Sequence, residues 1–366
     1  HEEQRPEFFS NYYVPNTEEL GPDEMRVTAL GTGMPDARKA QAGGSWFVEL
    51  GNGEKFFFDV GSSSQSNFAM LQVSYRDADK AFLSHLHVDH AGDLNTLWVS
   101  GWTLGRFDRP LRVWGPSGQD PELGTRYFLE TLQEAWKWDL ASRHGKLPEA
   151  GAEIEINEFD YSKTHVVYDH NGVKVTAFPA VHSIDGAVSY KLEWNGLSFA
   201  YSGDTSPNSY FVENTKGVDL SVHETFITAK HLEERYGYDR QTSFIVGEII
   251  HTSPEAGGKV FNATQPRMAV GYHFFNDFDT APEHRDKIRK HYSGPLTLAQ
   301  DGMVFNVTKN DINVRLLLGP EHSWPAKEDN EAFGEAKRGK NTPMSDWLQK
   351  SMLFRPKTDE TSEHSH

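Results

Sequence analysis

The sequence contains no cysteine in 366 residues. That excludes disulfide bonds and every zinc site built on thiolate, so any metal must be held by His, Asp or Glu. Long apolar runs are also missing. Those present are short, such as the one at residues 56–60, and no membrane partner is expected. Positive charge is scarce: 36 Lys and Arg stand against 53 Asp and Glu, a net −17. A nucleic-acid binder draws its affinity from a basic face. The two basic stretches, RDKIRKHY (285–292) and AKRGK (336–340), read as solvated faces, so a small anionic substrate is favoured as partner. The chain opens HEEQRPEFFSN, with neither an initiator Met nor a basic-then-apolar signal pattern. A cytoplasmic and a periplasmic or secreted location both stay open.

What is present is globular in kind: 37% hydrophobic and 24% charged residues. Residues 1–24, rich in Glu, Pro and aromatics, read as an irregular arm. From Met25 to Leu318 short β-rich runs such as MRVTALGTG and SWFVELGNGEKFFFDVG alternate with helical patterns, and LGNGEK signals a hairpin. Helices are expected over DLNTLWVSGWTLG, GTRYFLETLQEAWKWDLASRHG, TAKHLEERYG and SPEAGGKVFNAT. In the last, Ser253 is an N-cap and Pro254 the first helical residue. Residues 319–366, polar and broken by Pro and Gly, read as a peripheral extension or a homo-oligomer contact. The mixture predicts an α+β fold with a two-sheet core faced by helices.

The densest chemistry lies in AFLSHLHVDHAGDLN (81–95), with three histidines and two aspartates behind an apolar strand end. Alternate strand residues point the same way, so His85 and His87 can reach one point together. Past the strand, Asp89 and His90 can turn toward a second point nearby. Four ligand-type residues within six positions favour a metal site over surface histidines near a helix start. Further candidates each end a strand: His182 in FPAVHSIDG, Asp204 in FAYSGDTSP, His273 in AVGYHFFND and Asp59 in FFFDVG. Singly, each has a bland alternative: loop residue, turn former, half-buried imidazole. Together they suit the rim where α/β folds assemble their sites.

The set HxHxDH, a distant His, SGDT and a late YHF, spanning about residues 26 to 308, resembles the metallo-β-lactamase-fold superfamily. The resemblance implies an αββα sandwich with a dinuclear site on one edge. It implies His85, His87 and His182 on the first metal, Asp89, His90 and His273 on the second, and Asp204 bridging. Asp59 would support the ligands from behind. SVHETF (221–226) and HTSPEAG (251–257) are similar to elements of the ribonuclease Z branch, where a Glu–His pair donates the leaving-group proton; this implies Glu224 and His251 as catalytic, alongside Asp89. The alternatives are a surface acid and a residue at a helix start. EELGPDE, GTGMP and YHFFND resemble a metallo-β-lactamase of ribonuclease Z-like architecture with both activities.

Two Zn²⁺ ions, with Mn²⁺ or Fe as alternatives, would make the protein a hydrolase acting through metal-bound hydroxide. β-Lactam amides are the first substrate reading. The alternative is a ribonuclease Z-like phosphodiesterase acting on tRNA 3′ ends or on smaller phosphate esters. It is weakened by the acidic charge and by the lack of a basic, Gly/Pro-rich arm between Pro116 and Pro179. A third reading is a metal-binding relative without catalysis. Trp98, Trp102, Phe107, Phe274 and Phe275 lie near ligand loops and are candidates for the pocket wall, although aromatics in such positions are more often core. Trp136 and Trp138 are assigned to core or an oligomer surface.

Overall fold

Phe56, Phe57 and Phe58 show how the layers are built. They form strand β4 (Lys55–Phe58), and successive strand residues face opposite sides. Phe56 and Phe58 enter one apolar core, and Phe57 enters another. A strand covered on both faces has no polar side to alternate with, which is why the run is continuous. The computed structural model describes residues 11–326 and 336–355. The remainder of the expected N-terminal arm (1–10) and of the C-terminal extension (327–335, 356–366) lies outside these residues.

Among the described residues the strands form two sheets. The nine-stranded sheet runs β1 (Tyr12–Tyr13), β16 (Ile312–Leu317), β15 (Met303–Val307), β2 (Met25–Gly31), β3 (Ser45–Leu50), β4, β5 (Lys80–Phe82), β6 (Leu111–Pro116), β7 (Ile154–Phe159). The seven-stranded sheet runs β14 (Leu296–Leu298), β13 (Met268–Tyr272), β12 (Leu220–Glu224), β11 (Leu197–Tyr201), β10 (Val188–Trp194), β9 (Val173–Pro179), β8 (His165–His170). Their inner faces share one core that includes Val27, Trp46, Phe58, Tyr190, Phe199 and Val270.

On the outer face of the first sheet lie α1 (Ser64–Met70), α2 (Val88–Ala91), α3 (Leu94–Thr103), α4 (Thr125–Ala135) and α5 (Lys137–Arg143). Phe68, Leu97, Trp98 and Leu129 meet Phe47 and Phe57 there. The second sheet is covered by α6 (Ser209–Asn214), α7 (Ala229–His231), α8 (Arg240–Phe244), α9 (Pro254–Thr264) and α10 (Ala281–Arg289). This is the αββα sandwich.

Several local expectations need correction. The 22-residue helical pattern from Gly124 is two helices, broken at Trp136, where φ −94° and ψ 19° leave the helical region. The break lets Leu140 reach the helix-side core while Trp138, 83% exposed, stays in water and is not core. TAKHLEERYG is a short helix that widens into i→i+5 turns over 232–236, and α8 continues the same way over 245–250. Of the arm, Tyr12 and Tyr13 pair in parallel with β16. α9 begins as read, with Ser253 Oγ accepting from Ala256 N and Pro254 first in the helix.

Trp98 and Trp102 are fully buried, their indole N–H groups donating to Ala152 O (2.9 Å) and Pro148 O (2.7 Å). Beside them Arg106 is also buried. Its guanidinium donates to Leu97 O, Trp98 O and Gly151 O, tying the middle of α3 to the turn at residues 149–152. Burial pulls this guanidinium down to about 10.

Candidate metal centre

Strands β4 to β7 run parallel to one another, as do β11 to β14. Their carboxyl ends open on one rim, and the site residues leave the chain there. Asp59 follows β4, and His85, His87, Asp89 and His90 follow β5. His182 follows β9, Asp204 follows β11, Glu224 ends β12 and His273 follows β13.

The structure brings all seven expected ligands together in two groups that share Asp204. In the first, His87 Nδ1 lies 3.0 Å from His85 Nε2 and 3.2 Å from His182 Nε2. Asp204 Oδ2 lies 3.7 Å from His85 Nε2 and 3.6 Å from His182 Nε2. In the second, His90 Nε2 and His273 Nε2 are 3.4 Å apart. Both approach Asp89 Oδ2 (3.3 and 3.1 Å) and Asp204 Oδ1 (3.1 and 3.2 Å). A tetrahedron of ligands 2.0–2.2 Å from a central ion has edges of about 3.3–3.6 Å, so both groups have the span of a four-coordinate site. Asp204 Oδ1, buried and close to two imidazoles, has no hydrogen-bonding partner of proper geometry among the described residues. An acceptor aimed at a shared centre instead of at a donor fits a cation.

Partners behind the rings set the tautomers. Ser84 Oγ spends its proton on Asp59 Oδ2 (2.6 Å), so across 3.0 Å it accepts from His85 Nδ1–H. His182 Nδ1–H donates to Ile250 O at 3.0 Å. His90 Nδ1–H donates to Asp59 Oδ2 at 2.7 Å. Each leaves Nε2 free to face its group. Asp59 also accepts from Ser84 N (2.7 Å) and from Tyr201 OH (2.6 Å), and Tyr272 OH, which donates to Gly203 O (2.9 Å), lies 3.1 Å from Tyr201 OH. Asp59 and His273 both sit in the left-handed region, at φ 61° and 71°. For non-glycine residues this costs of order 1–3 kcal/mol and collects at functional sites. At His273 the backbone N–H donating to Thr32 O (3.0 Å) holds it. Gly203, at φ 59°, lets Asp204 come in close: a Cβ there would lie 2.5 Å from Ser84 Cβ.

The two groups differ electrically. Burial pushes His85 well down and His182 down, keeping the first set neutral imidazoles. Burial also opposes charge on His90 and His273, but Asp204 and Asp89 outweigh it and raise both, His273 to about 10. Against burial, the same imidazoles hold Asp89 and Asp204 far below the usual carboxylate range.

Glu224 is wholly buried, not a surface acid. Its carboxylate accepts from His251 Nδ1–H (3.0 and 3.1 Å), Thr205 N (2.7 Å) and Thr252 N (3.1 Å). The His251 ring stacks on Phe226 at 3.9 Å and lies 4.9 Å from the ring of His182. This pairs a fixed imidazole with the rim of both groups.

The comparisons with known proteins bear on this site. Residues 55–274 match the model of the beta-lactamase superfamily domain. The chain belongs to the β-lactamase superfamily. It is a metal-dependent hydrolase with the metallo-β-lactamase fold, in the ribonuclease Z-like branch. A ribonuclease Z of Mycobacterium sp. (strain KMS) is 30% identical over 205 residues, 54% of this chain and 68% of the relative. The metallo-β-lactamase fold protein YhfI of Bacillus subtilis superposes with a TM-score of 0.59 at 16% identity, covering 78% of this chain and all of that one. Human tRNase Z, short form, gives 0.56 at 19% identity, covering 76% and 98%. Among the described residues no helix of this superfamily member is long and apolar enough to cross a membrane.

The aromatic candidates fare less well. Trp98 and Trp102 are core, and Phe274 is buried against His284. Phe275 lies under the Arg38 guanidinium. None of these, nor Phe107, lines the cavity beside the first donor group; Tyr127 and Phe128 do. Sequence reading also missed Ser84, Tyr201, Tyr272 and Phe226. Tyr201 had a signal. It closes the inward-facing series Leu197, Phe199, Tyr201, and a buried phenol needs a partner for its hydroxyl.

Proposed function

We propose that this protein is a metal-dependent phosphodiesterase. The observation that carries the reading is the Glu224–His251 pair beside two donor groups, in a chain 30% identical to a ribonuclease Z. One cation would be held by His85, His87, His182 and Asp204, the other by Asp89, His90, His273 and Asp204. A donor set of imidazole and carboxylate alone suits Zn²⁺, with Mn²⁺ or iron as alternatives. Bound there, two divalent ions supply Lewis acidity toward a phosphoryl oxygen and lower the pKa of water.

The remaining work falls to the chain. Glu224 fixes His251 through Nδ1, leaving Nε2 as the atom that passes a proton to the departing oxygen. Thr205 N and Thr252 N hold the Glu224 carboxylate, and Phe226 holds the ring plane. Asp59 and Ser84 orient His90 and His85. β-Lactam amides, the first reading from sequence, give way to the phosphodiester alternative because the curated relatives weigh toward it. The net charge of −17 favours small phosphate esters over tRNA 3′ ends. The buried acid–imidazole pair weighs against a relative without catalysis.

The test assays metal-loaded protein on bis(p-nitrophenyl) phosphate, a dinucleotide, pre-tRNA and nitrocefin, each with His251→Ala. p-Nitrophenolate leaves without a proton and an alkoxide does not. The expected loss is therefore about 10²–10⁴-fold on the dinucleotide and much smaller on the nitrophenyl ester. No phosphodiester turnover, with brisk nitrocefin hydrolysis, would return the β-lactam reading to first place.

A further inference from the structure

A cavity of about 520 Å³ opens beside the first donor group, touching His85, His87 and His182. That is within the usual range for a small-molecule site, roughly 300–1,000 Å³. One wall is the face of α4 that carries Tyr127, Phe128, Thr131, Leu132 and Ala135, which recur at helical spacing. Leu123 and Pro116 continue it, and the loop from Ser183 to Ala187 forms the other side. Among the described residues its walls contain no Lys or Arg, and the only charged side chains there besides the histidines are Glu122 and Asp185. Leu123, Tyr127 and Ile184 are 46%, 46% and 63% exposed, an apolar surface that the described residues do not cover.

The cavity has a direction. Its lining includes neither His251 nor Glu224, and none of Asp89, His90 and His273. His251 lies beyond His182, at 4.9 Å between rings. A substrate reaching from the cavity across the donor groups would therefore put one ester arm among apolar side chains and the other toward the proton donor.

We propose that this cavity receives the retained ester group of a small phosphodiester, an aryl or alkyl group without further negative charge, while the leaving group departs on the His251 side. The inference rests on the phosphodiesterase reading. In the reaction water adds to phosphorus and the bond from phosphorus to the leaving oxygen breaks. That oxygen takes the His251 proton, and the imidazole recovers one from the attacking water. The products are an alcohol and a phosphate monoester whose apolar group still lies in the cavity. A polynucleotide would instead place further phosphates beside Glu122 and Asp185, where like charges repel.

Two measurements test this. The first compares kcat/KM for methyl, phenyl and 1-naphthyl esters of p-nitrophenyl phosphate, which share one leaving group. The naphthyl ester should exceed the methyl ester by about tenfold or more, from apolar area removed from water. Leu123→Asp and Ala135→Asp, both at exposed positions, should draw that ratio toward one. The second needs no turnover: calorimetric binding of 1-naphthylphosphonate and methylphosphonate should show the same preference and the same loss in the variants. Equal affinities in the unsubstituted protein, no measurable naphthylphosphonate binding, or ratios unmoved by both substitutions would overturn the assignment. So would pre-tRNA cleaved more than tenfold better than the naphthyl ester. Failure of the phosphodiesterase reading shows separately, as absent turnover of every phosphodiester while the phosphonate preference persists.

Discussion

Asp59→Asn probes the support behind the metal centre, and its cost can be worked from the hydrogen bonds. The Asp59 carboxylate is fully buried and accepts four bonds: Ser84 N on Oδ1, and Ser84 Oγ, His90 Nδ1 and Tyr201 OH on Oδ2. An amide keeps one acceptor and gains a donor. Its cheaper orientation leaves the oxygen on the threefold side and sets NH₂ against Ser84 N–H, where the partners are 2.7 Å apart. One buried backbone donor then goes unpaired, and three bonds lose their charge assistance. The expected cost is about 2–3 kcal/mol of stability in the metal-free protein. The negative charge behind His90 also disappears, which makes its Nε2 a weaker ligand and should cut cation affinity about 10–100-fold. Urea unfolding reads the first quantity, and competition with a chromophoric chelator reads the second. Tyr201→Phe is the control. It removes one of the four bonds and leaves Tyr272 OH its bond to Gly203 O, so the cost should be about 1 kcal/mol with the charge retained. If Asp59→Asn binds both cations within twofold of the unsubstituted protein, Asp59 does not orient His90 and the account of the second group fails.

Other substitutions separate ligand, support and core. His87 is the exposed member of its group, so His87→Ala should leave urea stability of the metal-free protein within about 0.5 kcal/mol. It should lower metal content from two equivalents toward one by mass spectrometry and remove at least about 10²-fold of turnover; two retained equivalents would drop it from the ligand set. Arg106→Met removes three hydrogen bonds to buried carbonyls, of which Gly151 O lies outside α3, and should cost about 1–3 kcal/mol in urea unfolding with the metal content unchanged. Asp301 is pushed up to about 6 by burial, against donors from Thr32, Ala42 and Asn67. Because its folded value lies above the unfolded one, its contribution to stability is complete below about pH 4 and is lost as pH rises through 6. Relative to Asp301→Asn, the unsubstituted protein should lose about 2 kcal/mol across that window, allowing for the partial exposure of the side chain. A flat difference in urea midpoints would contradict this.

The candidate ligands stood out in the sequence because metal chemistry concentrates rare residue types: His85, His87, Asp89 and His90 lie within six positions, and their strand-end placement follows from the apolar run before them. His182, Asp204 and His273 share that placement, but only the fold brings them together. The layers were legible in outline from runs such as Phe56–Phe58, which demand two covered faces. The break at Trp136 was not, since an amphipathic pattern continues through it and only the packing of Leu140 reveals the change of direction. Nor were the donors around Asp59 and Glu224. Ser84, Tyr201, Thr205 and Thr252 are ordinary residues whose roles depend on contacts tens of positions away.

The cavity was hidden for a different reason. On α4, Leu129 is fully buried against the first sheet, while Phe128 and Leu132 pack partly on that core and partly line the open cavity. A hydrophobic stripe read from sequence has one meaning, a face turned to the interior. Here the stripe is wider than the sheet beneath it can cover, and the surplus faces the donor groups. Trp98 and Trp102 failed as pocket walls because they are wholly buried, their indoles held by the carbonyls of Ala152 and Pro148, and neither lines the cavity. Proximity in sequence to a ligand loop is therefore a poor guide to a substrate wall. The informative quantity is apolar surface that stays exposed after every element has found its partner. By that measure Leu123, Tyr127 and Ile184 bear more directly on the proposed substrate than the candidate ligands, which bear only on the kind of bond broken.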